Sequence, residues 1–236
     1  MATRSPRGFG QYGGVARAVE RVGERWALLI VRDLLAGARR YSDLKAGLPR
    51  IPTNILSDRL KELQLAGVIR RVPTVRGGYE LTALGRGLEP VVLALERWGW
   101  AAPGDAADGD VFTADALGIT LRAAFRSDVA AAFPPTEYLL HAGEASVSAV
   151  VAGGALDVMD VGPDALPQPQ GRLSVGSTED VLEFQVAVAD LDRLLGGDVS
   201  PLEVLAGRSE LVERFGSTFR FDPLPGMGVD AERSAA

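Results

Sequence analysis

The sequence predicts an α+β chain of two domains: a mainly helical winged domain, then an α+β domain in which helices cover a mostly antiparallel sheet. Three observations predict it. Residues 40–82 run through two helical patterns and a basic, β-rich hairpin without interruption. Residues 1–100 hold 17 Lys+Arg and 9 Asp+Glu, a balance of +8, whereas residues 101–236 hold 8 and 22, a balance of −14, which together give the net −6. Between the halves, residues 101–110 (AAPGDAADGD) are small and acidic, as a domain boundary is. A length of 236 residues suits two domains, at roughly 100 to 200 residues each.

Over residues 52–66, Leu56, Leu60 and Leu63, joined by Ile55, recur at the three- and four-residue steps of one helix face. Asn54, Ser57, Asp58 and Lys61 share that spacing on the opposite face. Pro52 suits a first helical turn, and Gly67 stands where a helix commonly ends in a left-handed residue. Upstream, Ser42 reads as the N-cap of a short helix over residues 43–46, which Gly47-Leu48-Pro49 ends. Helices joined by such a turn cross steeply and leave the second free to enter a major groove. After Gly67, residues 68–72 are rich in β-branched side chains, and residues 79–82 answer them after a Gly77-Gly78 turn. Helix, turn, helix and hairpin make a winged helix-turn-helix, so double-stranded DNA is the expected partner and gene regulation the expected role.

DNA docking needs positive charge for phosphates and short polar groups for base edges. Arg39, Arg40, Arg50, Arg59, Arg70, Arg71 and Arg76 supply the first, and Thr53, Asn54 and Ser57 the second. With their neighbours on the same elements, the candidate DNA-contacting set is Arg39, Arg40, Ser42, Arg50, Pro52, Thr53, Asn54, Ser57, Asp58, Arg59, Lys61, Arg71, Arg76 and Gly77. Arg76, at the hairpin tip, suits a minor groove, whose negative potential attracts arginine. A pI near 5.0 does not argue against DNA, because phosphate binding belongs to a face and not to the net charge.

The stretches GERWALLIVRDLL, RYSDLK, IPTNILSDRLKEL and YELTALG closely resemble the HxlR-type winged helix-turn-helix transcription regulators, over about residues 13–100. The resemblance implies a homodimer on palindromic operator DNA. Two flanking stretches, residues 15–35 with Val19, Val22, Trp26, Leu29, Ile30 and Leu34, and residues 84–100 with Leu88, Val91, Val92, Leu95 and Trp98, read as long helices. In the resembled family such helices build the two-fold contact. Many relatives carry a cysteine just before the first helix, where this chain has Gly13. With no cysteine anywhere, thiol-based sensing is excluded.

In the second domain, residues 112–133 read as a helix ending at Pro134-Pro135. Strands are expected over residues 137–141, 145–152, 156–161, 172–175 and 219–221, and helices over 180–195, 201–206 and 209–215. Strands first and helices afterwards suggest an antiparallel sheet covered on one face. The run VAVADLDRLLGGDVSPLEVLAGRSELVERFGSTFRF resembles the closing segment of sterol-carrier-protein-like lipid-binding domains. That resemblance implies a hydrophobic small-molecule effector. Tyr138, Leu140, Val147, Ala149, Val151, Leu191, Leu194 and Leu195 follow the expected inner alternation, which a filled core explains as well as a pocket does.

The expected organisation is a flexible arm over 1–12, a DNA-binding and dimerisation domain over 13–100, a linker over 101–110, a sterol-carrier-like domain over 111–222 and a tail over 223–236. His141 is the single histidine, and no serine elbow, phosphate loop or metal-spaced cluster accompanies it. No enzymatic activity, metal or cofactor is expected. No apolar run spans a membrane and MATRSPRGFGQYGG lacks the apolar core of a signal peptide, so a cytoplasmic protein is expected. Two readings of the second domain stay open, an effector-binding module or a ligand-free module for oligomerisation or protein docking; a third, a lipid carrier whose winged domain is only structural, is opposed by the polar stripe and the +8 balance of residues 1–100.

Overall fold

A computed structural model describes residues 8–72, 78–102, 110–163, 165 and 180–222. The chain divides into two units, Met1–Val92 and Leu93–Ala236. The first begins with α1 (Gly14–Val22) and α2 (Ala27–Leu35), so the helical pattern over residues 15–35 is two helices and not one. The turn between them starts at Gly23, whose N–H donates to the Val19 carbonyl at 2.8 Å. A Cβ there would lie 2.5 Å from that same oxygen, so the turn requires glycine. Ala27, Ile30, Val31 and Leu34 of α2 are buried.

Helix α3 (Tyr41–Gly47) starts two residues earlier than expected. Ser42 lies inside it and does not cap it. The first turn is held instead by Asp43, whose Oδ2 accepts the Arg40 N–H at 2.8 Å. Helix α4 (Thr53–Leu65) follows Pro52 and buries Leu56, Leu60 and Leu63. Each buried leucine contributes roughly 1.5–3 kcal/mol of transfer free energy. Gly67 takes φ +73°, and Val68 N–H donates to Leu63 at 2.9 Å while Gly67 N–H donates to Gln64 at 3.0 Å. Both carbonyls left over by the helix end are satisfied, and the chain is turned into the hairpin.

Strands β1 (Ile69–Val72) and β2 (Gly78–Leu81) pair antiparallel, Ile69 opposite Leu81 and Val72 opposite Gly78. Arg39 adds a bridge to Tyr79 on the far side of β2. A Cβ on Gly78 would lie 3.2 Å from the Arg39 oxygen, which explains the glycine. The pattern over 84–100 is also two helices, α5 (Ala83–Arg86) and α6 (Glu89–Ala101), separated at Gly87-Leu88. Thr82 caps α5 by accepting the Gly85 N–H at 3.1 Å. Among the described residues no helix is long and apolar enough to cross a membrane.

In the second unit, Arg97 on α6 donates to the Ala123 carbonyl at 2.8 Å, and Glu96 accepts from Thr120 at 2.6 Å. Their partners lie on α7 (Ala114–Ala124), which is followed by α8 (Ser127–Ala130). The single helix expected over 112–133 is interrupted where Phe125 forms a bridge with Phe219. That bridge is also what the strand expected over 219–221 amounts to. Strands β3 (Thr136–Ala142), β4 (Ala145–Ala152) and β5 (Ala155–Asp160) form the expected meander.

Two helices expected next are strands. Residues Val181–Val186 form β6, parallel to β3, and Glu203–Ala206 form β7, antiparallel to β6. In β6, Leu182, Phe184 and Val186 are buried and Glu183 and Gln185 are not, the period of two that marks a half-buried strand. The helix expected over 180–195 survives as a 3₁₀ turn and α9 (Leu191–Leu195), and α10 (Glu210–Thr218) closes the unit. The sheet order is β5-β4-β3-β6-β7, so strands and helices interleave and one pair is parallel. The strand expected over 172–175 and the tail over 223–236 lie outside the described residues, as does most of the expected linker.

Tyr138, Phe184, Phe215 and Phe219 are at most 1% exposed. Phe184 and Phe215 meet at 4.8 Å, Phe215 and Phe219 at 4.9 Å, and Tyr138 and Phe215 at 5.3 Å between ring centres. All eight residues expected on the inner face are buried with them. Burial pushes the Tyr138 phenol up to about 12, against the Arg214 guanidinium, which opposes the shift. Arg214 donates to Thr136 at 2.9 Å and to Asp180 at 2.8 Å. That bond, with Arg208 also paired to Asp180, holds its carboxyl below the usual carboxylate range.

Candidate nucleic-acid interface

The candidate interface is assembled by α4 and what steadies it. Because Leu56, Leu60 and Leu63 point inward, the opposite face is fixed outward: Pro52, Thr53, Asn54, Ser57, Asp58 and Lys61 are all exposed. Its first turn is tied to α3 by Tyr41, whose hydroxyl donates to the Thr53 carbonyl at 2.9 Å. The Ser57 hydroxyl lies 3.0 Å from the same carbonyl and 3.4 Å from the Tyr41 oxygen. Thr53, Ser57 and Tyr41 therefore form one small polar cluster where a helix of this kind meets base edges.

The arginines expected as a set divide into groups. Arg50 and Arg71 are exposed and Arg40 is half-buried. Arg71 stacks on the Tyr79 ring at 5.5 Å and donates to its hydroxyl at 3.2 Å, which holds the guanidinium along the wing. Arg70 is paired with Glu80 at 2.5 Å across the hairpin. Two expectations are corrected. Arg39 is 4% exposed, so it belongs to the packing beneath the wing and not to the open face. Arg59 is turned away from the face by ion pairs to Glu62 at 2.5 Å and Glu24 at 3.3 Å, where its charge is already answered. Ser42 is exposed beside α4, its hydroxyl 3.1 Å from Asp43 Oδ1. Arg76 and Gly77, expected at the wing tip, lie outside the described residues.

Two contributors escape a sequence reading. Tyr41 lies in the RYSDLK stretch, but nothing in that stretch assigns it a role, since only the crossing of α3 and α4 brings it to Ser57. Thr82 does carry a signal, a threonine directly before a helix, and its hydroxyl also donates to the Gly67 carbonyl at 2.6 Å. It links the end of α4 to the wing, so the two elements share one support.

Residues 21–104 match the model of the HxlR-like helix-turn-helix family. The chain is 41% identical over 93 residues to YvaP of Bacillus subtilis (strain 168), an uncharacterized HTH-type transcriptional regulator, spanning 37% of this chain and 86% of the relative. The chain belongs to the HxlR-like helix-turn-helix family. Rv3095 of Mycobacterium tuberculosis (strain ATCC 25618 / H37Rv), also an uncharacterized HTH-type transcriptional regulator, is 44% identical over 89 residues, 36% of this chain and 56% of its own length. A solved structure of the reduced transcriptional regulator YodB from B. subtilis aligns with 40% of this chain and 100% of its own at 29% identity and TM-score 0.36. The HxlR-like match ends at residue 104, before the sheet of the second unit begins.

Proposed function

We propose that the chain is a sequence-specific DNA-binding transcription regulator that acts as a homodimer on a palindromic operator. The observation that carries this reading is the exposed polar face of α4, held rigid by three buried leucines and by Tyr41, beside a wing whose Arg71 is braced for phosphate. Thr53, Asn54 and Ser57 read base edges in the major groove, while Lys61, Arg50 and Arg71 set the register on the backbone. The homodimer is supported by apolar residues left uncovered on the flanking helices. Val91, Leu95 and Trp98 of α6 are 47%, 44% and 60% exposed at a helical spacing, and Val15 of α1 is 79% exposed. A two-fold contact through them sets half-sites roughly 10 bp apart.

Selection from random duplexes tests the reading, and enrichment of a palindrome with that spacing is the expected result. Recovery of no common sequence overturns it. Trp98→Glu is expected to halve the molar mass in light scattering, and an unchanged mass removes α6 from the contact.

For the second unit the aromatic packing between sheet and α10 favours a ligand-free oligomerisation or docking module over an apolar effector site. The effector reading rests on the resemblance to sterol-carrier-like domains. Native mass spectrometry of protein purified from its host separates them: a co-purifying apolar molecule supports the effector, and the bare chain mass supports the docking module.

A further inference from the structure

A cleft of about 540 Å³ opens in the first unit between the segment at Gly8-Phe9, α1, the turn at Gly23-Glu24 and the C-terminal half of α4. Its size falls within the roughly 300–1,000 Å³ of small-molecule sites. Val19, Ala27, Leu63 and Ala66 line its apolar part. Phe9 also lines it, 60% exposed, its backbone tethered because its N–H donates to Glu20 Oε1 at 3.1 Å. An exposed aromatic residue in the same lining as Val19, Ala27, Leu63 and Ala66 is an arrangement that a small apolar body completes.

The charges lining the cleft decide the sign of what enters. Glu20, Glu24 and Glu62 face it against Arg21 and Arg59. Arg59 is already shared between Glu24 and Glu62, and Arg21 is drawn back along its own helix, donating to the Arg17 carbonyl at 2.7 Å. An anion would meet three carboxylates and compete with two of them for one guanidinium. A cation meets three carboxylates, Glu20, Glu24 and Glu62, of which one guanidinium answers two, together with the aromatic residue Phe9, the pairing of charge and ring that recognises organic ammonium and phosphonium groups. We infer that this cleft is a binding site for amphipathic organic cations, apolar or aromatic in body and singly charged. The site lies outside the DNA-facing surface and stands whether or not that surface reads an operator.

The isosteric pair tetraphenylphosphonium and tetraphenylborate separates charge from shape. Calorimetry on the full chain is expected to show saturable one-site binding of the phosphonium and none of the borate. The double variant Glu20→Gln/Glu24→Gln is expected to weaken phosphonium binding by about tenfold, since each partly exposed charge contact is modest. Phe9→Ala, which removes an exposed ring and no core contact, is expected to weaken it by about threefold. Rising salt is expected to weaken it further. Absence of saturable binding, equal binding of the borate, or affinity unchanged in both variants overturns the site. If the double variant fails to fold, Phe9→Ala alone decides. Duplex binding measured on the same samples keeps the two questions apart: DNA bound without phosphonium rejects the cleft alone, and the converse rejects the DNA reading alone.

Discussion

The two units spend their side chains differently. In the first, α4 buries three leucines and leaves six polar or proline side chains exposed between Pro52 and Lys61. In the second, four aromatic rings, Phe215 and three others each within 6 Å of it, are sealed between β3, β6 and α10. Residues 1–100 carry a balance of +8, whereas residues 101–236 carry 22 of the 31 Asp+Glu of the chain. A unit that must offer a surface keeps polar groups free of intramolecular obligations, while a unit that fills its own interior has its strongest contacts already made. The contrast predicts that stability is lost by cutting into the second unit and specificity by trimming the first.

Phe215→Ala has the largest expected effect. It removes the ring that touches Tyr138, Phe184 and Phe219, and is expected to lower unfolding free energy by about 3–5 kcal/mol, read by urea denaturation with circular dichroism. A loss below about 1 kcal/mol would mean the aromatic cluster is loosely packed, and the distinction between a filled and an offered interior would fail.

Asn54→Ala tests the other half of the contrast. Stability is expected to stay within about 0.5 kcal/mol, as for surface substitutions away from special features. Discrimination between the selected operator and single-base variants is expected to fall by about 1–3 kcal/mol, read by fluorescence anisotropy. Equal loss on all sequences would make Asn54 a backbone contact. Arg71→Ala should do what Asn54→Ala should not: weaken binding to every duplex and reduce the slope of log affinity against log salt by about 0.9. A changed base preference with an unchanged slope would exchange the two roles.

How much of each unit could be read from the residues follows from where the deciding partners lie. Leu56, Leu60, Leu63 and Gly67 specify α4 and its end locally, and the hairpin strands lie close together in the sequence, so the helix, the wing and the exposed face were legible. The breaks at Gly23 and Gly87 were not, because Val22 to Trp26 and Leu84 to Leu88 keep helical spacing across them. In the second unit, Leu182 and Val186 are four apart and lead on to Leu191 and Leu194, so a helical period runs across what is a strand. The parallel pairing of β6 with β3 is what selects the period of two, and that partner is distant in sequence. The same holds for Arg39 and Arg59, whose type suggests phosphate but whose neighbours Tyr79, Glu24 and Glu62 decide otherwise.

Tyr138 offers the smallest and most specific probe of the sealed interior. Its phenol is hydrogen-bonded to Thr136 and Thr218, and burial raises it from 10.0 to about 12. A group raised in the folded state binds its proton more tightly there than in the unfolded chain. The stability this contributes is fully present below pH 10 and is lost as pH rises from 10 through about 12. Tyr138→Phe keeps the ring and removes the titration, at a cost of about 1 kcal/mol near neutrality for the lost hydrogen bonds. Urea midpoints measured from pH 9 to 12 should therefore converge for the two proteins as the wild type loses its advantage. Parallel curves would show that the phenol ionises as freely inside as outside, and that the second unit admits water where its rings now exclude it.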